Sequence, residues 1–339
     1  MSRAKAAPDD RIDFVIITVD GNDPEWQKKK NRTLGINDGD ARTIRYRSWD
    51  NLQYWFRAVE KFAPWVNKVY LVTDHQAPKW INPDCEKLVL VNHDEFIPEK
   101  YLPTFSSHPI EHNLFRIKGL SEKFVYFNDD MFIRGPVTPD QFFKNGLPSD
   151  YALEEPMTVH DPMFAHIVTN NILMLNEHYR RKRVLKEQKK KFYSPVYFKG
   201  MLQNRMLSVL KRNVFFGFKN THMPNSMLKS SFKAVWERNF ETLDATCSRK
   251  VRRHEDVNQY IYVQYQYVNG LFTPYDWGGT RHLYRCNDGN VDRIAKDIVR
   301  QKYKMICINE ADELDFEYAK RKINAAWEEL LPEKSSFEL

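Results

Sequence analysis

The chain has 339 residues, 42% of them apolar and 14% aromatic, so it can bury a sizeable core in one or two domains. Its 52 Lys and Arg against 45 Asp and Glu leave a formal charge of +7, which suits anionic partners without selecting one. Four widely separated cysteines exclude a zinc knuckle and a disulfide framework. Because no apolar run approaches the roughly 18–20 residues that cross a bilayer and no secretory signal is recognisable, we expect a cytoplasmic protein that meets a membrane only at its surface.

The first half of the chain alternates short apolar runs with helical patterns. Four apolar runs predict buried strands, at residues 14–19, 69–73, 88–91 and 124–127. Helical spacing predicts one helix that starts after the N-cap Ser48 and stops at Pro64, and a second helix over residues 110–117. Repeated strand and helix units predict an α/β fold, in which a mostly parallel, Rossmann-like sheet carries helices on its faces.

The second half of the chain is more helical. Residues 257–268 and 316–331 show helical periodicity, and Pro332 closes the last helix. The organisation predicted along the chain is a flexible N-terminus at residues 1–12, an α/β core at residues 13–150, and a helical region at residues 151–339 packed on the same core.

A stretch dense in Lys and Arg covers residues 179–191. One interpretation is the solvated face of a helix. The other is a basic patch, at residues 180–191, that contacts anionic lipid at a membrane or an acidic polymer.

Polar clusters follow all four predicted strands: Asp20 and Asp23, then Asp74, then His93 and Asp94, then Asn128, Asp129 and Asp130. Asp and Asn also make good turns, which is the alternative explanation for any single cluster. In parallel sheets, however, the ligand site lies beyond the carboxyl ends of the strands. Four clusters in succession therefore favour one shared site.

The strongest local signal is the pair Asp129 and Asp130, set between apolar segments at the end of a predicted strand. Adjacent acids at such a position are stable if a divalent cation offsets their repulsion. Hard oxygen ligands suit Mg²⁺ or Mn²⁺, which in turn bind diphosphate oxygens. The sequence therefore predicts a site for one of these cations.

Two histidine-containing segments of the second half provide candidates for proton transfer and charge neutralisation. His222 and His254 titrate near neutral pH and can exchange a proton with a hydroxyl or a phosphate. Arg253 can neutralise a transferring phosphoryl group through its forked donors. A structural histidine beside a surface salt bridge remains the alternative for each segment.

Two further polar clusters are open to both structural and functional interpretations. Glu111, His112, Asn113 and Arg116 sit within two helical turns, where Glu111 and Arg116 could simply form an ion pair. The segment containing Arg45, Arg47 and Asp50 is either a capped helix start or a phosphate contact at that start.

These motifs together resemble the Stealth family, which includes bacterial capsular-polysaccharide phosphotransferases and the catalytic subunit of the lysosomal-enzyme N-acetylglucosamine-1-phosphotransferase. Four blocks carry the resemblance. They are DFVIITVDGNDP; RYRSWDNLQYWFRAVEKFAPWVNKVYLVTDHQAPKW with LPTFSSHPIEHNLFRIKGLSEKFVYFNDDMF; THMPNSM with VRRHED; and KMICINE. They extend over most of the chain outside the first dozen residues, the basic stretch and the last helix.

The resemblance implies transfer of a hexose-1-phosphate, such as N-acetylhexosamine-1-phosphate, from a UDP-sugar to a hydroxyl of an oligosaccharide or growing polysaccharide. It also implies a fold similar to that of A-type glycosyltransferases, and no nucleic-acid partner. Carried over by motif, Asp129, Asp130 and Asn309 bind Mg²⁺ or Mn²⁺, and catalysis falls to Asp130, His222, Arg253 and Glu111. The residues implied at the substrates are Asp20, Gly21, Asp23, Arg45, Arg47, Asp50, Asp74, His112, Asn113, Arg116, Asn128 and His254.

The chain departs from the family pattern at two places. The first family block usually reads Thr-Trp-Val-Asp-Gly, whereas this chain has Ile17-Thr18-Val19-Asp20-Gly21, so the tryptophan has no counterpart here. Val251-Arg252-Arg253 stands where the family often has Arg-Phe-Arg.

Three rival hypotheses remain. A conventional glycosyltransferase would use the same donor, cation and fold but release UDP instead of UMP. A nucleic-acid-binding module would leave the acidic clusters unexplained, because without a cation they repel phosphates. A noncatalytic polysaccharide-binding protein would turn over no donor.

Overall fold

The computed structural model describes residues 10–34, 46–157, 162–311 and 314–339. The flexible N-terminus predicted at residues 1–12 falls mostly outside these ranges, and so does the predicted substrate contact Arg45. The division of the chain at residue 150 stays a prediction.

The described residues contain eleven strands and thirteen α-helices. The strands are β1 Ile12–Ile17, β2 Val69–Thr73, β3 Leu88–Asn92, β4 Lys123–Asn128, β5 Met131–Ile133, β6 Phe143–Lys144, β7 Leu147–Asp150, β8 Asn225–Leu228, β9 Thr273–Pro274, β10 Arg281–Cys286 and β11 Met305–Glu310. The helices are α1 Pro24–Thr33, α2 Leu52–Phe62, α3 Ser107–Asn113, α4 Pro139–Phe142, α5 Pro162–His178, α6 Arg181–Glu187, α7 Lys189–Phe192, α8 Phe198–Ser208, α9 Lys229–Arg238, α10 Phe240–Ser248, α11 Tyr260–Val268, α12 Val291–Val299 and α13 Phe316–Leu330.

The central sheet has five strands in the order β3-β2-β1-β4-β8. The first four are parallel, and β8 adds to one edge in the antiparallel direction. All four parallel strands are the apolar runs that the sequence predicts as buried strands, so the predicted α/β fold with a mostly parallel sheet is confirmed.

Both faces of the central sheet are covered, and the residues of β1 show how. Phe14 and Ile16 pack in one apolar core with helices α2, α12 and α13, whereas Val15 and Ile17 pack in a second core with helices such as α5, α9 and α11. Side chains alternate between the two faces of a strand, so a strand buried on both sides must be apolar throughout. This explains the apolar run from Phe14 to Ile17 in β1.

A second sheet continues directly from the first. The chain leaves β4 at Asn128, turns at Asp129 and Asp130, and enters β5, which pairs antiparallel with β11 so that Met131 faces Cys307. Strand β11 pairs in parallel with β10, and a small third sheet has the order β6-β7-β9. The acidic turn is therefore the junction between two sheets.

The predicted helices are present, with shifted starts. Helix α2 begins after Asn51, and Ser48 instead donates its hydroxyl to Asp50 at 2.9 Å, so the prediction of Ser48 as N-cap is wrong. Helix α3 begins earlier than expected because Ser106 caps the amide of His108, and it passes into a 3₁₀ turn after Asn113. The predicted helices at residues 257–268 and 316–331 correspond to α11 and α13.

The basic stretch forms two short helices, α6 and α7, and its charges are not equivalent. The guanidinium of Arg181 is buried and forms two hydrogen bonds with Glu154, at 2.6 and 2.8 Å, and Glu154 is itself fully buried. Lys191 donates to the carbonyl oxygens of Gly270 and Phe272. These two side chains form bonds within the fold, whereas the other basic side chains of residues 180–191 are exposed.

Replacing Arg181 by Met leaves the Glu154 carboxylate buried without its charge partner. We expect this variant to lose about 3–5 kcal/mol of unfolding free energy, because breaking one side of a buried ion pair strands the other charge. Urea unfolding measures the loss. Arg183→Met is the matched control, since Arg183 lies two residues away and its partner Glu187 is at the surface, and it should unfold close to wild type. Equal stability of the two variants would contradict the assigned role of the pair.

Candidate active site

The acidic turn after β4 is fixed by strand pairing on both sides. Ile17 pairs with Asn128 in the central sheet, and the amide of Ile308 donates to the carbonyl oxygen of Asp130 at 2.9 Å. The two carboxyl groups therefore project from a rigid junction. Rigid placement matters because a site must hold its groups in position before the substrate arrives.

Asp130 is joined by a histidine and a cysteine from the second half of the chain. His222 Nε2 lies 3.1 Å from Asp130 Oδ2, and Cys307 donates its thiol to the same oxygen at 3.2 Å. Burial alone would raise the pKa of Asp130, but His222 and Cys307 hold it below its ordinary value. Burial likewise opposes charge on His222, yet Asp130 raises the pKa of this imidazole above its ordinary value. The pair therefore favours a carboxylate facing an imidazolium.

His222 reaches Asp130 from an unusual backbone conformation. Its φ angle is +45°, in the left-handed region that residues other than glycine seldom occupy. Such conformations cost free energy and persist where the surrounding structure enforces them. Here the loop before β8 enforces it, and the observation is consistent with a functional role for the imidazole.

Asp129 faces different surroundings from its neighbour. More than a third of its surface is exposed to solvent, while protein atoms crowd its carboxyl group and Thr18 donates a hydrogen bond to it. Loss of hydration, together with the charge of Asp130, raises the pKa of Asp129 to about 7. The pKa values of the two adjacent acids are thus displaced in opposite directions, because Asp130 has hydrogen-bond partners that favour its charged form and Asp129 loses hydration beside that charge.

Glu111 approaches the same turn from α3. The hydroxyl of Tyr126 lies 3.1 Å from Glu111 Oε1 and 2.5 Å from Asn128 Oδ1, and it links the two side chains. Burial, with Glu111 next in importance, raises the pKa of Tyr126 well above its ordinary value, so this hydroxyl stays a donor. Glu111 therefore accepts a hydrogen bond from Tyr126, and it does not form the ion pair with Arg116 that the sequence allowed.

The segment that contains the VRRHED motif is anchored by the carboxylate of Asp256. The carboxylate of Asp256 accepts from the ring of His108 at 3.2 Å, from Arg249 at 2.8 Å and from the backbone amide of Arg253 at 2.8 Å. The guanidinium charge that lowers the pKa of both His222 and Tyr126 belongs to Arg252. Arg252 therefore lies within electrostatic reach of the catalytic candidates, one residue before the predicted Arg253.

Two sets of residues could hold a cation at this turn. Asp130, His222 and Cys307 place potential ligand atoms within 4.8 Å of one another, a mixture of donors that zinc prefers. In the structure, however, burial and Asp130 raise the pKa of the Cys307 thiol well above its ordinary value, so the thiol is a neutral donor and not a thiolate ligand. The groups left with capacity are carboxylate oxygens.

Two such oxygens are buried without a hydrogen-bond partner among the described residues, Asp130 Oδ1 and Glu111 Oε2. Unpaired buried oxygens are costly, and a hard divalent cation satisfies them. The acidic turn therefore fits Mg²⁺ or Mn²⁺ by its chemistry. Asn309 lies on the same face of β11 as Cys307, two residues further along, and its side chain is exposed.

The predicted residues after β1 mainly organise their own loop. Asp23 caps α1 and accepts from Gln76, whose hydrogen bond lowers the pKa of the Asp23 carboxyl. The backbone of Asp20 also bonds to Gln76 at 3.0 and 2.9 Å. Gly21 donates to the carbonyl oxygen of Tyr46, and a Cβ there would overlap that oxygen. The loop is well ordered and lies at the carboxyl end of β1, beside the end of β2.

Three more predicted substrate contacts are engaged in ion pairs. Arg47 pairs with Glu310 at the end of β11 and lies 3.9 Å from the ring centre of Phe316. Asp50 pairs with Lys320 of α13. The predicted residue Asp74 accepts two bonds of 2.8 Å from Lys29.

The remaining predicted residues are the buried His112 and Asn113 and the exposed Arg116 and His254. Both ring nitrogens of His112 are hydrogen-bonded, to Tyr262 and to the carbonyl oxygen of Val257, and burial lowers its pKa to about 4. Asn113 accepts from Arg116 at 2.8 Å. Asn113 also donates to the sulfur of Cys247 at 3.6 Å, so His112 and Asn113 brace α3 against the second half of the chain. His254 is exposed, with its ring 4.7 Å from that of His166.

A small pocket with a cavity volume of about 20 Å³, open to solvent, lies next to the loop that carries His222. Its wall includes Thr221, next to His222, and Tyr260. Burial, and after it the nearby Cys307, Glu111 and Asp130, raise the pKa of Tyr260 above its ordinary value. Five polar atoms of lining residues have no hydrogen-bond partner among the described residues: Gln264 Oε1 and Nε2, Asn225 Oδ1, Tyr260 Oη and Arg281 Nε. The pocket next to His222 therefore offers polar atoms that are free to bind a ligand.

Comparison with known proteins identifies the family. The chain is 37% identical over 333 residues to the capsular polysaccharide phosphotransferase WcwK of Streptococcus pneumoniae, which covers 97% of this chain and 98% of the relative. It is 38% identical to the receptor polysaccharide phosphotransferase WefC of Streptococcus oralis, over 97% and 99% of the two chains. Residues 45–150 match the domain described as Stealth protein CR2, conserved region 2. The chain belongs to the Stealth family.

A third relative extends the Stealth assignment to another genus. The exopolysaccharide phosphotransferase cps2G of Lactiplantibacillus plantarum is 36% identical over 332 residues, which make up 96% of each chain. The resemblance predicted from the four sequence blocks is therefore confirmed. A solved structure of the glycosyltransferase GlyE from Streptococcus pneumoniae TIGR4 aligns with a TM-score of 0.24 at 8% identity over 93% of this chain and 78% of the other, which is too weak to establish a common fold.

Sequence reasoning missed several residues of this Stealth site. Thr18 and Tyr126 lie within the family blocks, where the sequence indicates only strand residues. Cys307 lies inside KMICINE, and the sequence predicts no role for it. Their signal is the alternation of a strand, which turns Cys307 to the same face as Asn309. In the described part of the chain no helix combines the length and apolar character needed to cross a membrane.

The neutral state of Cys307 can be tested by alkylation. Cys85 is partly exposed, whereas Cys247, Cys286 and Cys307 are buried. Burial raises the pKa of Cys247 to about 12 and that of Cys286 to about 11, and that of Cys307 is raised too. Because the thiolate is the reactive form, we expect iodoacetamide at neutral pH to label Cys85 alone in the native, chelator-treated protein. Mass spectrometry of peptides locates the label, and denatured protein labelled at all four sites is the control. Rapid native labelling of Cys307 would show a thiolate and favour the softer ligand set.

Proposed function

We propose that the protein transfers a hexose-1-phosphate, such as N-acetylhexosamine-1-phosphate, from a UDP-sugar to a hydroxyl of an acceptor sugar. The acceptor oxygen bonds to the phosphorus next to the donor sugar, the bond from that phosphorus to the bridging oxygen breaks, and UMP leaves. The product is a phosphodiester link in a capsular or other cell-surface polysaccharide. The observation that carries this proposal is the cluster of Asp129, Asp130 and His222 at the ends of the parallel strands. The phosphotransferase names of three full-length relatives support it.

Asp129, Asp130 and Asn309 are the residues proposed to hold Mg²⁺ or Mn²⁺. The bound cation would supply positive charge to the diphosphate oxygens, which is the main requirement of phosphoryl transfer besides alignment. The unpartnered Asp130 Oδ1 supports this assignment. Glu111, linked to the same turn through Tyr126, contributes a second unpartnered oxygen in the site.

His222 is proposed to handle the proton. Its Nε2 faces Asp130, so the other ring nitrogen, Nδ1, is left for the substrate. A carboxylate that holds one nitrogen of a histidine orients the ring and raises its basicity. When neutral, His222 takes the proton of the attacking hydroxyl; when charged, it gives one to the departing UMP. Asp130 thus serves the histidine as well as the cation.

Arg252 and Arg253 are proposed to neutralise the phosphoryl oxygens during transfer. The buried carboxylate of Asp256 accepts from the backbone amide of Arg253, and the guanidinium of Arg252 donates to the hydroxyl of Ser107 at 2.8 Å. Because Arg252 already exerts its charge on His222 and Tyr126, it lies nearer the reacting groups than the sequence suggested. Forked guanidinium donors match phosphate oxygens in pairs.

The experiment that tests the reaction measures the nucleotide released. Incubation with UDP-sugars, an oligosaccharide acceptor and Mg²⁺ or Mn²⁺ should yield UMP, whereas a conventional glycosyltransferase would yield UDP. In the same assay Asp130→Asn should lower turnover by about a hundredfold or more, because it removes charge from the cation site and the partner of His222. Calorimetry with Mn²⁺ alone should show weakened binding.

Asp84→Asn is the control for this variant, since Asp84 is exposed and lies in a loop away from the site. It should turn over donor at the wild-type rate. Near wild-type activity and Mn²⁺ affinity in Asp130→Asn would contradict the proposal that Asp130 binds the cation. Release of UDP would replace the proposed reaction by glycosyl transfer, and absence of any turnover would favour a polysaccharide-binding protein.

The open mouth of the pocket next to His222 is proposed to receive a hydroxyl group of the acceptor sugar. Sugars are recognised by several hydrogen bonds from side chains that are already in place. Gln264 is nearly fully buried and both polar atoms of its amide lack a partner, which suits a ligand rich in hydroxyl groups. The position of the pocket next to Thr221 brings a bound hydroxyl toward His222.

Replacing Gln264 by Met should raise the acceptor KM about tenfold or more while the donor KM stays unchanged, because two hydrogen bonds to the sugar are lost. The melting temperature should not fall, since an unpaired buried amide is removed. Gln266→Met is a matched control two residues along α11: the Gln266 amide bonds to the amide of Leu228 and the carbonyl oxygen of Ser226. That variant should lose stability. Steady-state kinetics and thermal melts separate the two, and an unchanged acceptor KM in Gln264→Met would place the acceptor elsewhere.

The site of action is proposed to be the cytoplasm, at the inner face of the cell membrane. The exposed basic residues within 180–191 supply charge for contact with anionic lipid. No nucleic-acid partner is proposed, because the acidic turn would repel its phosphates.

A further inference from the structure

Helix α8 is apolar on two opposite sides. Its inner side buries Met201 and Leu207 in the protein. Between them Asn204 ties the helix to the core, donating to the carbonyl oxygens of Ala152 and Phe192 at 2.8 Å and accepting from the amide of Glu154 at 2.9 Å. A surface helix normally pairs such an apolar side with a polar one.

The other side of α8 is apolar as well, yet uncovered. Phe198, Leu202, Met206 and Val209 follow one another at spacings of three or four residues, so they form a single stripe, here called the outer face of α8. Their exposed fractions are 58%, 47%, 67% and 73%. Val196, Leu210 and Val214 around the stripe are also about half exposed. Contiguous exposed apolar surface of this kind marks an interaction site.

The charges around the outer face of α8 have one sign. Residues 195–214 contain four basic residues, Lys199, Arg205, Lys211 and Arg212, and no Asp or Glu. All four basic side chains are exposed. The neighbouring helices α6 and α7 add exposed Lys and Arg. The surface therefore combines an apolar stripe with a positive surround.

We propose that the outer face of α8 inserts into the interfacial layer of an anionic membrane. The apolar stripe enters the boundary between headgroups and acyl chains, and the basic surround contacts the lipid phosphates, as in helices that lie in a membrane surface. The inference goes beyond the membrane contact proposed for residues 180–191, since it assigns the binding to apolar insertion by a different helix.

A second copy of the chain fits this surface less well. A symmetric dimer would place the same patch against itself, which brings the four basic residues of one copy toward those of the other. Like charges facing each other across an interface oppose association. An anionic membrane instead presents complementary charge to the same residues.

Docking through α8 would also orient the site. The bonds of Asn204 fix the helix to residues 152–154, and Asp150 a few residues earlier lines the pocket beside His222. The helix is thus rigidly connected to the wall of that pocket. A membrane-bound acceptor would meet a site held at a defined position relative to the lipid.

The test is cosedimentation of the full chain with sucrose-loaded vesicles. Wild type should bind vesicles of phosphatidylcholine with phosphatidylglycerol and should bind pure phosphatidylcholine much more weakly. The triple variant Phe198→Ser, Leu202→Gln, Met206→Gln should lower the partition coefficient on anionic vesicles by about a hundredfold, because three large apolar side chains no longer insert. Leu339→Ser, at an exposed apolar residue outside α8, should bind like wild type.

Donor turnover in solution separates this proposal from the proposed reaction. The triple variant should keep the UMP release of wild type, since none of its residues contacts the acidic turn. Unchanged vesicle binding by the triple variant would overturn the assignment to α8. Failure of wild type to bind anionic vesicles, with sedimentation velocity showing a dimer that the triple variant loses, would assign the surface to a second copy instead.

Discussion

The structure depends on holding two adjacent carboxyl groups at one rigid turn. Repulsion and loss of hydration raise the pKa of Asp129 to about 7, while Asp130 is kept charged by groups brought from elsewhere in the chain. A turn of this kind is unstable by itself. It is maintained because β4 pairs within the central sheet and β5 pairs within the second sheet, which leaves the two residues between them no freedom to separate.

The same constraint explains why the second half of the chain returns to the first. Strand β8 joins the edge of β4 and places the loop containing His222 over Asp130, and β11 joins β5 and presents Cys307 from the other side. Sheet pairing thus delivers the side chains that stabilise the acidic turn. Chemistry and architecture are coupled at this point, because each strand that completes a sheet also completes the site.

The parts of this arrangement that follow from local sequence were predictable. Strands buried on both faces must be apolar throughout, so β1, β2, β3 and β4 are legible as unbroken runs, and the acids after β4 stand out against them. Contacts between distant residues were not. The pairing of Met131 with Cys307 joins positions 176 residues apart, and nothing local distinguishes Cys307 from an ordinary core cysteine.

Polar residues that the sequence suggests for the site show the opposite limit. Asp74, His112 and Asp50 have the composition of site residues, but Lys29, Tyr262 and Lys320 engage them in the fold. Sequence gives the type of a side chain and its approximate position, whereas its partners depend on packing among segments far apart along the chain. Glu111 and His112 are neighbours on one helix, yet both ring nitrogens of His112 are bonded while Glu111 Oε2 has no hydrogen-bond partner among the described residues.

In the second half of the chain, packing also decides which residues of the basic stretch and of α8 face solvent. Within the basic stretch, Arg181 is buried against Glu154 while the charges around it face solvent, so one run of like residues serves two physical purposes. Helix α8 shows the same effect with apolar residues, because some of them are buried and others are exposed, and composition alone does not distinguish the two sides. In both segments the distinction comes from which side the core occupies. Since residues 152–154 hold both Glu154 and the bonds to Asn204, the segment that fixes the basic stretch also fixes α8, and it leads directly from the wall of the pocket beside His222.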